Sequence, residues 1–198
     1  MVVFVLALFG SGLATAAAPT LSATAGLDFP TDQPWAGLEL AVHPTHQQGV
    51  GFAGRLAPGW GFGDGQPLVL VEAGALAVVP NDEAIVRLGL VGRAMLLRAE
   101  YSLPAGMSAG ELEWGVVPGA MAVLEFEWVG KTTVTVGGRA GAGSAAYDTY
   151  CGDDADPSCF TWSPSFIGGF YGRLRLPNRF AAELLLGPTA HVSLGIAL

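Results

Sequence analysis

The segment from Glu113 to Trp128 alternates strictly between two kinds of side chain. Alternation with a period of two places successive side chains on opposite faces of a β-strand. The odd positions combine glycine, aliphatic residues and three glutamates, whereas the even positions form one unbroken apolar face with a tryptophan at each end. Those even positions are Trp114, Val116, Pro118, Ala120, Ala122, Leu124, Phe126 and Trp128. The segment therefore predicts a long strand that turns one wholly apolar face towards its surroundings.

The composition narrows the architectures that can use such a strand. Hydrophobic residues make up 51% of the 198-residue chain and charged residues only 13%, about half the charged fraction of a typical soluble domain. The 29 glycines exclude a helical bundle, and no apolar run after the N-terminal segment reaches the ~18 residues of a membrane helix. High hydrophobicity without a spanning helix favours a closed β-barrel.

Alternating segments recur along the whole chain and are separated by breaks of two kinds. Short polar turns at 45–49, 80–83, 129–131 and 177–179 alternate with longer or less regular breaks, as in up-and-down barrels with unequal loops at their two ends. We predict an all-β, antiparallel transmembrane barrel of about ten strands, with eight as the alternative. The predicted strands are 20–29, 36–43, 50–57, 67–79, 84–98, 111–128, 131–147, 163–176, 179–187 and 190–198.

One face of these strands carries six of the nine Lys and Arg residues together with five glutamates, and we predict that they form an ion-pair network in the barrel lumen. A barrel of this size is about wide enough to be filled by side chains, and unpaired buried charge is expensive. The predicted members are Glu39, Arg55, Glu72, Arg87, Arg93, Glu125, Glu127, Arg139, Arg173, Arg175 and Glu183.

Alternation alone does not say which face points inwards, since a soluble lipocalin-like barrel would bury the apolar face. The more polar face consists mostly of Gly, Ala, Ser and Thr with a few charged residues. The surface of a soluble protein usually carries more charged side chains than this. Trp114 and Trp128 lie 14 residues apart, and a tilted strand would separate them by roughly 30 Å, close to the spacing of the aromatic girdles of a membrane barrel. The apolar face is therefore predicted to contact lipid.

Residues 1–18 resemble a secretory signal peptide. An apolar core from Val2 to Phe9 is followed by small residues at Ala14, Ala16 and Ala18, the spacing of a cleavage site. The segment departs from the pattern in having no Lys or Arg near Met1, and a buried first strand is the alternative. We expect residues 1–18 to be removed and residues 19–198 to form the barrel domain.

Cys151 and Cys159 are the only cysteines and lie in one polar segment. In an exported chain such a pair is most simply a disulfide that closes a short loop. Two free thiols are the alternative, and two cysteines alone make a poor metal site.

The signal-like start, the alternating strands, the unequal loops and the last strand, "AHVSLGIAL", together resemble small outer-membrane β-barrel proteins of Gram-negative bacteria, of the OmpA and OmpX kind. The resemblance covers nearly all of the chain after residue 18. It implies the bacterial outer membrane as location, membrane lipid as partner, a monomeric state and assembly guided by the last strand. That strand ends in Leu198, where these proteins usually have an aromatic residue.

Three residue groups could carry chemistry within such a barrel. His191, Ser193 and Glu183 resemble the residue types used by small barrel lipid A deacylases, although Leu194 follows Ser193 directly and the wider deacylase pattern is missing. Loop carboxylates could bind Ca²⁺, but a solvated acidic loop is commoner. Aromatic residues near the longer loops are expected to anchor the barrel at the membrane interface or to form an adhesive surface. The loop carboxylates are Asp148, Asp153, Asp154 and Asp156, and the aromatic residues are Trp60, Phe62, Tyr147, Tyr150, Phe160 and Trp162.

These observations predict a non-enzymatic barrel with a filled lumen, no cofactor and no metal, which acts through its extracellular loops on an unidentified ligand or envelope partner. A channel for small or apolar solutes and a secreted barrel that binds an apolar ligand are the two alternatives. The formal net charge of −8 excludes nucleic acid as a partner, since nucleic-acid binding needs a basic patch.

Overall fold

A computed structural model describes residues 19–28, 33–62, 67–99, 113–148 and 160–198. Ten strands make up most of these residues, and each strand pairs antiparallel with its neighbours in the chain. β1 also pairs with β10, so that Thr20 lies opposite Ala197 and the sheet closes. The ten-stranded up-and-down barrel is thus confirmed, and the eight-stranded alternative is wrong. The strands are β1 (Thr20–Asp28), β2 (Gln33–Val42), β3 (Gly49–Gly61), β4 (Pro67–Pro80), β5 (Ile85–Ala99), β6 (Glu113–Trp128), β7 (Thr133–Asp148), β8 (Phe160–Arg175), β9 (Phe180–Leu186) and β10 (Thr189–Ala197).

The two ends of the barrel differ in their connections. At the terminal end, where β1 begins and β10 ends, the strands are joined by segments 43–48, 81–84, 129–132 and 176–179. At the opposite loop end the strands are joined by segments 29–32, 62–66, 100–112, 149–159 and 187–188. The two longest connections, 100–112 and 149–159, lie at the loop end as expected, but 43–48 is longer than 29–32 and 62–66, and 187–188 is the shortest, so the expected alternation holds only between β4 and β9. The described residues contain no helix that is long and apolar enough to cross a membrane.

β3 extends four residues beyond the predicted end at residue 57. Pro58 and Gly59 are typical of turns, so the sequence predicts a break there. The ladder between β2 and β3 pairs residues 35–37 with 59–61 and residues 40–42 with 54–56, and it is interrupted at Pro58. Proline has no N–H to donate to the neighbouring strand. Because the ladder is interrupted at this position, β3 continues past Pro58.

The orientation of β4, which is apolar on both faces, follows from Glu72. Glu72 is buried inside the barrel, and Leu68, Leu70, Leu76 and Val78 lie on the same face and are buried with it. The lumen is therefore more apolar than the predicted mixture of Gly, Ala, Ser, Thr and charged residues. The prediction failed at this point because a strand with two apolar faces gives no period-two contrast.

The outer surface of the barrel carries an apolar belt, to which every strand contributes. Phe170 on β8 is 81% exposed and Leu90 on β5 is 69% exposed. The exposed apolar side chains of the belt are Leu21, Leu38, Val50, Val79, Leu88, Leu90, Leu124, Phe126, Val134, Val136, Phe166, Phe170, Leu174, Leu184, Leu186, Val192, Leu194 and Ile196. A soluble protein rarely exposes so large a continuous apolar surface.

Candidate functional site

Arg55 lies in the middle of the lumen and contacts three carboxylates. Its Nε lies 3.6 Å from a carboxylate oxygen of Glu39 and 3.6 Å from one of Glu72. Its Nη2 donates to Glu183 Oε1, and its Nη1 lies 2.7 Å from Nε2 of His191. These residues come from β2, β3, β4, β9 and β10, so the network joins strands that are distant in the sequence.

Two further arginines extend this network across the lumen. Arg139 Nη1 lies 2.9 Å from Glu72 Oε2, and Arg173 Nε lies 2.8 Å from Glu183 Oε2. Both guanidinium groups lie near the Tyr171 ring, at 4.8 Å and 5.8 Å from its centroid, within the range of a cation–π contact. Glu72 and Glu183 are thus each shared by at least two basic groups, whereas Glu39 contacts Arg55 and accepts a hydrogen bond from Ser193.

Arg93 lies on the same wall of the lumen. It is directly opposite Glu72 in the ladder between β4 and β5. Together with Trp35, Glu72 and His191 it lines a small cavity between the network and the loop end.

A second group of charges lies nearer the terminal end. Arg87 Nη2 lies 2.9 Å from Glu127 Oε1, and Arg87 Nη1 lies 3.6 Å from Glu125 Oε2. Glu127 also accepts a hydrogen bond of 3.0 Å from Thr135 and lies 2.9 Å from Nε2 of His46. Arg87 and Glu125 are each only 1% exposed, so these charges are buried as pairs.

Segment 43–48, which joins β2 to β3, folds into the terminal end of the barrel. Pro44 is fully buried, and His46 reaches Glu127 on β6. Nδ1 of His43 is shielded from solvent, although the residue as a whole is partly exposed. Burial lowers the pKa of His43 well below its ordinary value, and the positive charge of Arg173 lowers this pKa further. The imidazole of His43 is therefore neutral at neutral pH.

Towards the loop end, an apolar cluster packs inside the wall formed by β2 to β5: Trp35, Ala57, Leu68, Leu70 and Met95. A second apolar cluster packs inside the wall formed by β3 to β8: Ala53, Leu76, Val91, Met121, Val123 and Ile167. The lumen cavities lined by described residues hold about one or two water molecules each. Side chains thus fill the described part of the lumen.

His191, Ser193 and Glu183 all point into the lumen, but the described contacts do not link Ser193 to His191. Nε2 of His191 lies 3.0 Å from Glu183. Ser193 instead donates towards Thr24 Oγ1 at 2.9 Å and Glu39 Oε2 at 3.3 Å. A nucleophilic serine needs a base within hydrogen-bond reach, and the described contacts of Ser193 do not include His191. Within the described residues, no group of three or more His, Cys, Asp or Glu side chains could hold a metal ion.

Several predicted features lie outside the described residues. Cys151 and Cys159, with the acidic residues between them, belong to segment 149–159, and residues 1–18 are also outside. Trp114 lies in β6, but its side chain is not described, whereas Trp128 is exposed on the outer surface. The disulfide, the signal peptide and the aromatic girdle remain predictions.

No family model, curated protein or solved structure matches this chain. Its function is therefore inferred from the contacts and charges of its own residues.

All eleven residues of the predicted ion network lie on the inward-facing side of the barrel wall. Most of them contact another member of the network through the ion pairs given above. The sequence reasoning missed the network's neutral partners, Thr24 and Thr135, and the role of His43. It also missed Trp35, which was placed just before a strand. Trp35 shares the odd-numbered face of β2 with Glu39, so extending that strand by three residues would have placed it in the lumen.

Proposed function

We propose that this chain is a non-enzymatic, integral outer-membrane β-barrel with a closed lumen, which anchors its loop-end segments at the cell surface. The observation that carries the proposal is the inverted distribution of side chains. Arg55, Arg87 and Glu125 are at most 2% exposed, whereas belt residues such as Phe170 and Leu90 are more than half exposed. A belt of this kind is stable in contact with hydrocarbon and unfavourable in contact with water.

The filled lumen favours an anchor over a channel. A conducting barrel needs a continuous aqueous path, whereas segment 43–48 folds into the terminal end and the cluster of Trp35 and Met95 fills part of the lumen nearer the loop end. The exposed apolar belt also disfavours a secreted barrel that binds an apolar ligand, since such a barrel would keep its apolar residues inside.

The segments that join strands at the loop end favour a role in external interactions. Segments 29–32, 63–66, 100–112 and 149–159 contain Asp32, Asp64, Glu100, Glu111, Asp153, Asp154 and Asp156 and no Lys or Arg. The segments at the terminal end contain two acidic and two basic residues: Asp82, Glu83, Lys131 and Arg179. The two ends would therefore present different charge to the two sides of a membrane.

The proposal is tested by fractionating cells that express the full chain and by comparing unheated with boiled samples on a gel in SDS. We expect the protein in the outer-membrane fraction, with an unheated mobility that changes on boiling. A protein that stays in the soluble fraction and shows no such change would overturn the membrane assignment.

Planar-bilayer recording of the same purified protein separates anchor from channel. We expect no steady unitary currents from the wild-type barrel. Steady unitary currents would contradict the anchor proposal and support the channel alternative.

A further inference from the structure

A cavity at the terminal end collects more positive than negative charge. Three arginines and one carboxylate line it, and two histidines and two threonines complete its polar wall. The lining residues are His43, Pro44, His46, Arg87, Glu127, Thr133, Thr135, Arg173 and Arg175. The immediate wall thus carries three positive charges against one.

Arg175 forms no ion pair with the described lumen carboxylates, and Glu127 acts on its charge only from beyond ion-pair distance. Its Nη2 donates to Thr20 Oγ1 at 3.3 Å, and none of the described carboxylates lies within ion-pair distance of it. Among the inward-facing residues whose side chains the structure describes, six arginines face five glutamates, and the other arginines described above lie beside at least one of these glutamates. A cation without a counter-ion in a partly buried site favours an anion from solution.

Several buried donors at the same cavity have no hydrogen-bond acceptor in the protein. They are Nε and Nη1 of Arg87 and Nη2 of Arg173, and Nδ1 of the neutral His43 is a further buried polar atom without a hydrogen-bond partner. Nη1 of Arg87 lies 3.6 Å from Glu125, which is too long for a hydrogen bond. Buried donors of this kind are nearly always satisfied by protein, water or a bound ligand.

We propose that this cavity binds a small monovalent anion of the size of a halide. Its volume has room for about one or two water molecules, which suits chloride or bromide better than a bulky oxyanion. The carboxylate of Glu127, which is already engaged by Arg87, Thr135 and His46, lines the same cavity and disfavours a multiply charged anion. The bound ion neutralises Arg175 and accepts from the donors of Arg87 and Arg173.

The test compares the unfolding of the full chain in sodium chloride and in sodium gluconate at equal ionic strength, so that screening is the same. A ligand that binds only the folded state lowers the unfolding constant by the factor 1 + [L]/Kd. We expect chloride to lower the unfolding constant of the wild type about five-fold when its concentration is about four times Kd. Arg175→Gln should lose this response, whereas Lys131→Gln, which removes an exposed charge at the same end, should keep it.

Equal unfolding constants of the wild type in the two salts would overturn the proposal, and so would a full chloride response in Arg175→Gln. If Arg175→Gln does not fold, Thr133→Val replaces it, because this variant removes only a hydroxyl from the cavity wall. Thr133→Val should weaken the chloride response, and an unchanged response would contradict the site.

Anomalous diffraction from crystals grown in sodium bromide gives a readout that does not depend on stability. A bromide peak between Arg87, Arg173 and Arg175 is expected. The absence of any peak there would overturn the proposal, even if the membrane assignment held.

Discussion

Arg55 contacts Glu39, Glu72, Glu183 and His191 at once. Arg55→Met keeps much of the side-chain volume but leaves three buried carboxylates without their shared cation. Removing one partner of a buried ion pair costs about 3–5 kcal/mol, and we expect a loss of free energy of unfolding in that range.

Urea unfolding in lipid vesicles measures the loss caused by Arg55→Met. Lys131→Met, on an exposed turn, is the matched control and should change stability by no more than about 0.5 kcal/mol. Similar losses in both variants would show that the Arg55 network does not stabilise the barrel.

His43 lies between β2 and β3, outside the strands, where burial and Arg173 lower its pKa; Arg55, Arg139 and Glu183 also face it. Unfolding returns this pKa to about 6.5, so the unfolded chain binds more protons than the folded one below that pH. The contribution of neutral His43 to the free energy of unfolding is therefore fully present above pH 6.5. It is lost as pH falls below this value, by at most about 1.4 kcal/mol per pH unit.

His43→Asn should therefore flatten the stability profile between about pH 6.5 and 5.5. Urea titrations across this window measure the slope, and His46 and His191 remain in both proteins. A variant profile as steep as that of the wild type would exclude His43 as the source of the pH dependence.

Leu90 and Val129 are both exposed apolar residues, but Leu90 lies in the belt on β5 and Val129 lies in the turn after β6. An arginine on the lipid face costs up to about 2–4 kcal/mol, depending on depth, and little outside the hydrocarbon. Leu90→Arg should therefore destabilise the barrel in vesicles, and Val129→Arg should leave it within about 0.5 kcal/mol of the wild type. Two equally stable variants would place Leu90 in water.

At the scale of elements, segment 43–48 depends on a glycine in β3. A Cβ added at Gly51 would come within 2.5 Å of Pro44 Cβ, whereas one added at the outward-facing Gly172 would meet no atom within 4 Å. Gly51→Ala should push this segment out of the terminal end and destabilise the barrel by about 1–3 kcal/mol.

Gly172→Ala makes the same chemical change in open space and is the control for Gly51→Ala. Urea unfolding should show no loss of stability for Gly172→Ala. Equal midpoints for the two variants would contradict the packing of Pro44 against β3.

The strands were largely predictable from the sequence because period-two contrast marks a wall with one polar and one apolar face. β6 and β10 have this contrast throughout, and their predicted bounds lie within two residues of those observed. The end of β3 and the orientation of β4 were harder to predict, since Pro58 is a residue typical of turns and β4 is apolar on both faces. These details depend on the pairing of neighbouring strands, which local sequence does not encode.

The sequence predicted which charged residues lie in the lumen better than it predicted which of them contact each other. Alternation places Arg55 and Glu183 on the same side of the wall, but they are 128 residues apart in the chain. Which arginine reaches which glutamate depends on the stagger of the closed barrel. The inward fold of segment 43–48 has no counterpart in the period-two pattern, so the closure of the terminal end emerged only from the structure.

At the scale of the whole molecule, the barrel places charge inside and apolar surface outside. The central claim is that the belt around Leu90 and Phe170 contacts lipid. A soluble barrel with the same strands would have to hydrate this belt, at roughly 25 cal/mol for each Å² of apolar surface.

The most direct measurement places a single spin label at Leu90 or at Val129, in a chain whose two cysteines are replaced by serine, and records its relaxation in lipid vesicles. Oxygen concentrates in hydrocarbon, whereas a nickel chelate stays in water. The label at Leu90 should respond to oxygen and be protected from nickel, and the label at Val129 should show the reverse. A nickel response at both positions would contradict the membrane-spanning barrel.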